Sequence, residues 1–144
     1  MTESDWQHTN CYTTALRRAE RAINRIYDNA LRPVGVTTAQ YSLLSLIERA
    51  PVGIALSELA QAQVMDRTTL SRNLTTLERD GLVAIEHGDD RRVRSVSLTE
   101  QGHETIRTCR PLWRAAQDRI ASEHGLGRMS DLMSVLGELS KTAD

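Results

Sequence analysis

The apolar residues between positions 56 and 102 first follow helical spacing and then strand-like alternation. In the second of two short helical segments, Asp66 stands where an N-cap is expected and Gly81 where the helix ends. The apolar stripe of this segment consists of Leu70, Leu74 and Leu77. At about 100° per residue, the opposite face carries hydroxyl groups and arginines instead of mixed Glu and Lys. Such a face is suited to bind a polyanion.

A hairpin is predicted directly after this helix. Residues 82–85 have the aliphatic and β-branched character of a strand, and residues 93–98 alternate well enough to return antiparallel to them. Gly88 allows the turn, and Asp90 can hold Arg92 by a charge-assisted hydrogen bond, which directs the guanidinium toward a minor groove. Alternatively, the tip is a solvated hairpin end with compensating charges. The preceding helix pair favours a winged helix-turn-helix.

This interpretation assigns DNA contacts to two elements. On the second helix, the candidates are Arg67, Thr68, Thr69, Ser71, Arg72 and Thr75. On the hairpin, they are Asp90, Arg91, Arg92 and Arg94. A winged helix also occurs as a protein-interaction module, in which the arginines of the hairpin would be dispensable. Binding to duplex DNA that weakens steeply with salt distinguishes the two alternatives.

The N-terminal part of the chain predicts two further helices. Residues 13–31 form the first, with an apolar row at three-four spacing made of Leu16, Ala19, Ile23, Ile26 and Ala30. The opposite side carries Arg17, Arg18, Arg21 and Arg25. Pro33 and Gly35 end this helix, and Thr37 with Gln40 forms a plausible capping box for the second.

The C-terminal part also predicts two helices. A long helix begins after the N-cap Thr99 and continues to about residue 123, with a kink at Pro111 because its apolar row continues on both sides. A final helix follows Gly125 and Gly127, and one face carries Met129, Leu132, Met133, Leu136 and Leu139. These terminal helices expose more apolar surface than a small winged domain can cover, which predicts a partner chain.

The predicted fold is mainly α with a small β-wing, a winged helix-turn-helix with N- and C-terminal dimerisation helices. We expect a single domain over residues 1–144, with a winged-helix core at 37–103 and dimerisation helices at 12–36 and 104–144. Symmetric association places two recognition helices in successive major grooves. The expected partner is therefore an inverted-repeat DNA operator with half-sites about 10 bp apart, centre to centre.

Several of these motifs together resemble the MarR family of bacterial transcriptional regulators. The similarity extends over nearly the whole chain and includes Asp90-Arg91-Arg92 in the hairpin, Leu98-Thr99 followed by Gly102, and the run of residues 66–72 at the start of the second helix. The resemblance implies a homodimeric regulator, usually a repressor, that responds to a ligand or an oxidant.

The resemblance also implies a small-molecule pocket where the first and second helices meet the long one, with aromatic acids and phenols as common ligands. Tyr27, Tyr41 and Trp113 are candidates to line it, with Arg18 or Arg25 pairing a carboxylate. Each aromatic residue lies on or near an apolar stripe, so the alternative for each is a place in the core or the dimer seam.

A second candidate switch is Cys11, just before the first helix. Free amides, the helix dipole and nearby arginines favour its thiolate. The position resembles the organic-hydroperoxide-sensing branch of the family, although the cysteine of that branch aligns with Thr13 and one of its tyrosines with Thr38, which leaves Tyr27 in register. Cys109 lies on an apolar stripe and is expected to be a small buried hydrophobe.

Composition changes this picture little. The 144 residues carry a net charge of −1, which counts weakly against a nucleic-acid binder unless the charges are segregated locally. Lys141 is the single lysine among the 18 Lys and Arg residues, and all the others are arginine. This preference for arginine suits phosphate contacts, but a GC-rich genome also produces it. Residues 1–7 do not resemble a secretory signal, and no run of about 18 apolar residues is present, so we expect a cytoplasmic protein with no membrane association.

The sequence gives little support for catalysis. His8, His87, His103 and His124 are scattered, and none lies three or four residues from another histidine or a cysteine, as a helical metal pair would. The two cysteines lack CxxC spacing. We therefore expect no enzyme activity, no metal and no cofactor.

Overall fold

The computed structural model describes residues 11–88 and 94–142. It has the predicted mainly helical fold with a small sheet. The helices are α1 (Tyr12–Leu31), α2 (Thr38–Glu48), α3 (Leu56–Gln63), α4 (Arg67–Arg79), α5 (Glu100–His124) and α6 (Leu126–Leu139). The strands are β1 (Ile54–Ala55), β2 (Val83–His87) and β3 (Arg94–Leu98). Within the described ranges, no helix combines the length and apolar character that crossing a membrane requires.

The three strands form one antiparallel sheet in the order β1-β3-β2. The predicted hairpin is confirmed as β2 and β3, with Ile85 opposite Val96 and His87 opposite Arg94. Strand β1 was not predicted, because two residues are too few to show alternation. It pairs Ile54 with Val96 and covers the free edge of β3. The sheet thereby ties the start of α3 to the wing.

The core lies between α2, α4, α5 and the sheet. Its fully buried side chains include three leucines of α4 and residues from each neighbouring element: Leu31, Leu43, Leu44, Ile47, Leu59, Leu70, Leu74, Leu77, Val96, Ile106 and Cys109. Among the described residues, no charged or polar residue is buried. Burial of the apolar stripes therefore fixes which face of α4 points to solvent.

The junction between α1 and α2 is held by side-chain caps. Helix α1 ends at Leu31, a 3₁₀ turn containing Pro33 follows, and Gly35 adopts a positive φ of 77°. The predicted capping box at the start of α2 is confirmed, since Thr37 accepts from the amide of Gln40 and the Gln40 side chain accepts from the Thr37 amide. In addition, the Asp28 carboxylate of α1 accepts from the Thr38 amide at 2.7 Å and from its hydroxyl at 2.6 Å.

The start of α5 packs closely on the start of β2. Thr99 caps α5 by accepting from the Gly102 amide, and its hydroxyl donates to the Gly81 carbonyl at 2.6 Å. Its own amide donates to the Leu82 carbonyl. A Cβ on Gly102 would lie 2.1 Å from that same carbonyl oxygen, so only glycine fits at this position. Helix α5 then continues through Pro111; the kink stays a prediction.

Helix α6 begins two residues earlier than predicted. The expectation was a start after both Gly125 and Gly127, whereas α6 begins at Leu126. Gly125 alone interrupts the helices, because its φ of 92° lies in the region that other residues rarely adopt. Gly127 is helical and has no heavy atom within 4 Å of an added Cβ.

Candidate nucleic-acid interface

Helix α4 presents the side chains that the sequence assigned to DNA. Asp66 caps it, with its carboxylate accepting from the Thr69 amide at 2.7 Å and from the Thr69 hydroxyl at 3.1 Å. These hydrogen bonds hold the pKa of Asp66 below its usual value. The exposed residues of the helix are Arg67, Thr68, Ser71, Arg72, Thr75, Glu78 and Arg79, whereas Thr69 is half-buried beside the cap. The predicted outward face is thus confirmed.

The polar groups on this face differ in their availability. Thr75 donates its hydroxyl hydrogen to the Ser71 carbonyl at 2.8 Å, so it offers an incoming group only its acceptor oxygen. Arg79 pairs with the neighbouring Asp80 at 3.3 Å. Arg67 and Arg72 have no ion pair within 4.0 Å among the described residues. Their guanidinium donors are the ones ready to meet phosphate or base edges.

The wing is described up to its base. Arg94, the first residue of β3, is exposed, and its partner across the hairpin is His87. The predicted contacts of Asp90, Arg91 and Arg92 lie outside the described residues. The pairing of Asp90 with Arg92 stays a prediction.

A groove joins the wing to both helices of the helix-turn-helix. Its volume is about 290 Å³, and the polar residues that line it are Ser57, Arg67, Ser71 and Arg94. Helix α3 starts here with Ala55 as N-cap and no side-chain cap, so its first amides have no partner from such a side chain. Two guanidinium groups, two hydroxyls and a helix N-terminus form an environment suited to a phosphate. Sequence reasoning found three of these residues and missed Ser57; its position at the start of α3 was the available signal.

Comparisons with known proteins agree with this geometry. A model of the MarR family matches residues 34–93. The chain is 31% identical to the transcriptional activatory protein BadR of Rhodopseudomonas palustris (strain ATCC BAA-98 / CGA009), over 88% of this chain and 75% of that protein. The chain belongs to the MarR family.

Solved structures that are similar to this chain include complexes with DNA. The regulator MosR of M. tuberculosis in complex with DNA is 36% identical, covers 93% of this chain and 98% of its own, and superposes with a TM-score of 0.80. The repressor CouR bound to a 23-mer duplex is 26% identical, covers 94% and 96%, and has a TM-score of 0.84. This MarR-family chain is a DNA-binding transcriptional regulator and not an enzyme.

The predicted effector residues fall into two separate places in this MarR-family fold. The aromatic side chains do come together: Trp113 stacks on Tyr27 with ring centroids 6.0 Å apart and contacts Tyr41 at 6.1 Å. Arg18 and Arg25 instead lie on the exposed side of α1 and line a different depression. They follow the row opposite the apolar seam, so the same helical spacing that identified the seam directs them away from the aromatic cluster.

The cavity beside the aromatic cluster has other cationic residues. Its volume is about 400 Å³, and it lies between α2, the end of α3 and α5, lined by Tyr41, Trp113, Glu48, Arg49, Arg110 and smaller neighbours. Arg110 donates to the Glu48 carboxylate at 2.6 Å, which joins α5 to α2. Sequence reasoning missed both arginines. The signal for Arg110 was its position three residues before Trp113, on the same helix face.

The pKa values of one tyrosine and both cysteines are shifted by their surroundings. The Tyr27 hydroxyl donates to the Gln117 side chain, and burial raises the pKa of Tyr27. Cys11 is exposed at the N-cap of α1, where the amides of Thr14 and Thr13 and their side chains lower the pKa of its thiol. Burial raises the pKa of Cys109, which is buried as predicted. Among residues 11–88 and 94–142, no cluster of three metal-ligating side chains is present.

Proposed function

We propose that this MarR-family regulator binds an inverted-repeat operator as a homodimer in the cytoplasm, represses transcription there, and leaves the DNA when an aromatic anion occupies the cavity beside Trp113. The observation that supports DNA reading most strongly is the exposed face of α4 together with the groove at its start. In this arrangement, Arg72 reads a base edge, while Arg67, Arg94 and Ser57 hold backbone phosphates.

The DNA contacts are tested with arginine variants. Arg72→Ala is expected to weaken operator binding by about 1–3 kcal/mol and to relax the preference at one position of each half-site. Arg94→Ala should weaken binding to all sequences and reduce the slope of log affinity against log salt by about one. Arg114→Ala, on the exposed side of α5, is the matched control. Equal binding by all three variants would contradict the assignment.

The homodimer is supported by apolar side chains that the single chain leaves exposed. On α6 these are Leu126, Leu132, Met133, Val135 and Leu139, and on α1 they are Tyr12 and Leu16. In the proposed dimer these side chains meet as one apolar patch, of the kind that marks an interface. A closed two-fold pair would bury both copies of this patch and hold two α4 helices at a fixed spacing.

The dimer is tested by a charge placed in this patch. Leu139→Asp should give a folded monomer without operator affinity, because Leu139 is 49% exposed in the single chain and a carboxylate there is desolvated only upon dimerisation. Val52→Asp is the control, since Val52 is 97% exposed in the turn before β1. Light scattering measures the oligomeric state, and footprinting of the DNA upstream of the protein's own gene measures the half-site spacing. A monomeric wild type at micromolar concentration would contradict the proposal, and reporter expression gives the sign of regulation.

The effector is supported by the chemistry of the cavity. Trp113 and Tyr41 supply aromatic surface, and Arg110 and Arg49 supply cationic donors for a carboxylate. An aromatic carboxylate competes with Glu48 for Arg110 and so disturbs the link between α5 and α2. With 4-hydroxybenzoate as the probe, Arg110→Ala should raise the concentration needed for operator release about tenfold or more, and Arg114→Ala should not. An unchanged response of Arg110→Ala would place the ligand elsewhere.

Thiol sensing is the second candidate function, favoured by the exposure and lowered pKa of Cys11. A hydroperoxide would oxidise the Cys11 thiolate to a sulfenic acid and be reduced to the alcohol. Cys11→Ser should then remain bound to the operator in peroxide, while the wild type is released and recovers with a thiol reductant. Release of both proteins by peroxide would exclude Cys11 as the sensor.

A further inference from the structure

The exposed side of α1 carries a concentration of positive charge outside the groove that we assign to DNA phosphates. Arg17, Arg18, Arg21 and Arg25 lie at helical spacing on the side opposite the apolar seam, and all four are exposed. We call this row the arginine stripe. Its two i,i+4 pairs, Arg17 with Arg21 and Arg21 with Arg25, place like charges next to each other, an arrangement that destabilises an isolated helix.

Within the described part of the chain, the stripe forms no ion pair. None of the four guanidinium groups has a carboxylate within 4.0 Å there, although four other arginines of the chain are paired. Glu20 and Asp28 lie on the same helix, but the Asp28 carboxylate is engaged by Thr38. The stripe therefore keeps its donors free for an external anion.

The shape of the surface narrows down the kind of anion. A depression of about 290 Å³ runs along the stripe, lined by its four arginines, Thr14 and Ala22. A second of about 480 Å³ adjoins it, lined by Arg17, Arg21 and Arg25 together with Glu20, Asn24 and Asp28. From Arg17 to Arg25 the helix rises about 12 Å, which lets several guanidinium groups contact successive phosphates of one chain.

The stripe lies apart from the surfaces that we assign to a second copy of the chain and to DNA. The helix packs against α5 and α2 and uses its apolar seam to do so. The stripe points away from that seam and from the exposed side chains of Tyr12 and Leu16, which lie on the opposite side of the helix. The groove that we assign to DNA phosphates is formed by other elements, namely α3, α4 and β3.

We propose that the arginine stripe of α1 is a binding site for a ligand with two or three linked phosphates, such as the phosphate chain of a nucleotide. The guanidinium groups bind the phosphate oxygens as bidentate donors. In the adjoining depression, Glu20 and Asn24 are placed to accept from and donate to the hydroxyl and ring groups of a nucleoside. Inorganic monophosphate spans too few of the arginines to bind comparably.

The test is calorimetry on the full chain at about 0.1 M salt without divalent cations, with tripolyphosphate, ATP and inorganic phosphate as probes. The variant Arg17→Gln/Arg21→Gln is compared with Arg114→Gln/Arg128→Gln, which removes the same charge from exposed positions on α5 and α6. Gln and Arg have similar helix propensities, so both variants should fold. We expect tripolyphosphate and ATP to bind the wild type and the control pair, inorganic phosphate to bind at least tenfold more weakly, and the stripe variant to lose about tenfold or more.

Each possible result either identifies the ligand of the stripe or overturns the proposal. Equal affinity of tripolyphosphate and ATP assigns recognition to the phosphate chain alone, and tighter ATP binding that Glu20→Gln abolishes assigns it to a nucleotide. Equal losses in the stripe and control variants would reduce the effect to net charge and overturn the proposal, as would a wild type that binds neither probe. A weaker operator affinity and a smaller salt slope in the stripe variant alone would make the stripe a DNA contact, which also overturns it.

Discussion

Replacing Gly102 by alanine should be the most informative single change in the winged-helix core. An ideal Cβ at this position would lie 2.1 Å from the Leu82 carbonyl oxygen and 3.2 Å from Cδ2 of Leu98. The carbonyl is backbone and is held by the Thr99 amide at 3.1 Å. Relief of the clash therefore requires α5 and the start of β2 to separate by about 1 Å, which stretches or breaks this hydrogen bond.

Two contributions destabilise Gly102→Ala, and a third offsets them in part. Overpacking in a closely packed region costs about 1–3 kcal/mol. Loss of the hydrogen bond from Thr99 to Leu82 adds about 0.5–1.5 kcal/mol. Alanine returns at most about 1 kcal/mol through its better helix propensity, and less in the first turn of a helix. We expect Gly102→Ala to lower the free energy of unfolding by about 2 kcal/mol.

Urea unfolding followed by circular dichroism measures this change, at one fixed protein concentration because a dimer would make the midpoint concentration-dependent. Gly127→Ala and Gly137→Ala are matched controls, since both glycines are helical and have no heavy atom within 4 Å of an added Cβ. These should be neutral or stabilise by up to about 1 kcal/mol. If Gly102→Ala unfolds at the same urea concentration as the wild type, the close approach of α5 to the Leu82 carbonyl relaxes without cost, contrary to this prediction.

Three further predictions concern local features of the fold. Val64 is a β-branched residue at φ 50° and is 95% exposed in the turn between α3 and α4, so Val64→Asn should stabilise by about 1 kcal/mol in the same urea assay, and a lower midpoint would contradict the strain. The pKa of Asp66 is lowered in the folded state, so its contribution to stability is present above the unfolded pKa of about 3.9 and is lost as the pH falls through the folded pKa. Thermal melts between about pH 4 and 2 should therefore show less acid destabilisation in Asp66→Asn than in the wild type. Parallel pH profiles of the two proteins would count against the cap. Asp28→Ala should cost about 1–2 kcal/mol in urea unfolding because Thr38 loses two hydrogen bonds, and a loss no larger than that of Asn29→Ala would show that this link is unimportant.

Elements with strong periodicity were predictable from the sequence. Leu70, Leu74 and Leu77 identified the buried side of α4, and Asp66 and Gly81 identified its ends, because capping and burial act within one turn of helix. The start of α6 was less accurate, since a glycine ends a helix only where the chain needs a positive φ. Gly125 has such a φ and Gly127 does not, and the residue type alone does not distinguish them.

The residues of the candidate site also differ in how far the sequence could predict them. Residues on one helix, such as Arg67 and Arg72, could be assigned from spacing alone. The cavity beside Trp113 required knowledge of which helices meet, because Glu48 and Arg110 are 62 positions apart in the chain. The sequence identified the aromatic residues by type but paired them with Arg18 and Arg25, which share only a neighbourhood in the chain with Tyr27. Contacts between distant segments depend on tertiary packing, which a periodic pattern does not specify.

An effector changes DNA affinity only if it binds two conformations with different affinities, and a coupling of about 1–3 kcal/mol suffices for a 5- to 150-fold change. Under the proposed ligand mechanism, the difference has to reach α4 through elements that line the cavity. Gln63, the last residue of α3, is one of them, and it lies next to the strained Val64 and three residues before the Asp66 cap of α4. A shift of Gln63 therefore changes the turn that orients the cap. A shift of α5 near Arg110 reaches α4 by longer routes, through Glu48 of α2 and the core or along α5 to the hydrogen bond between Thr99 and the Gly81 carbonyl. The short route through the turn is the more direct physical link between the cavity and the recognition helix.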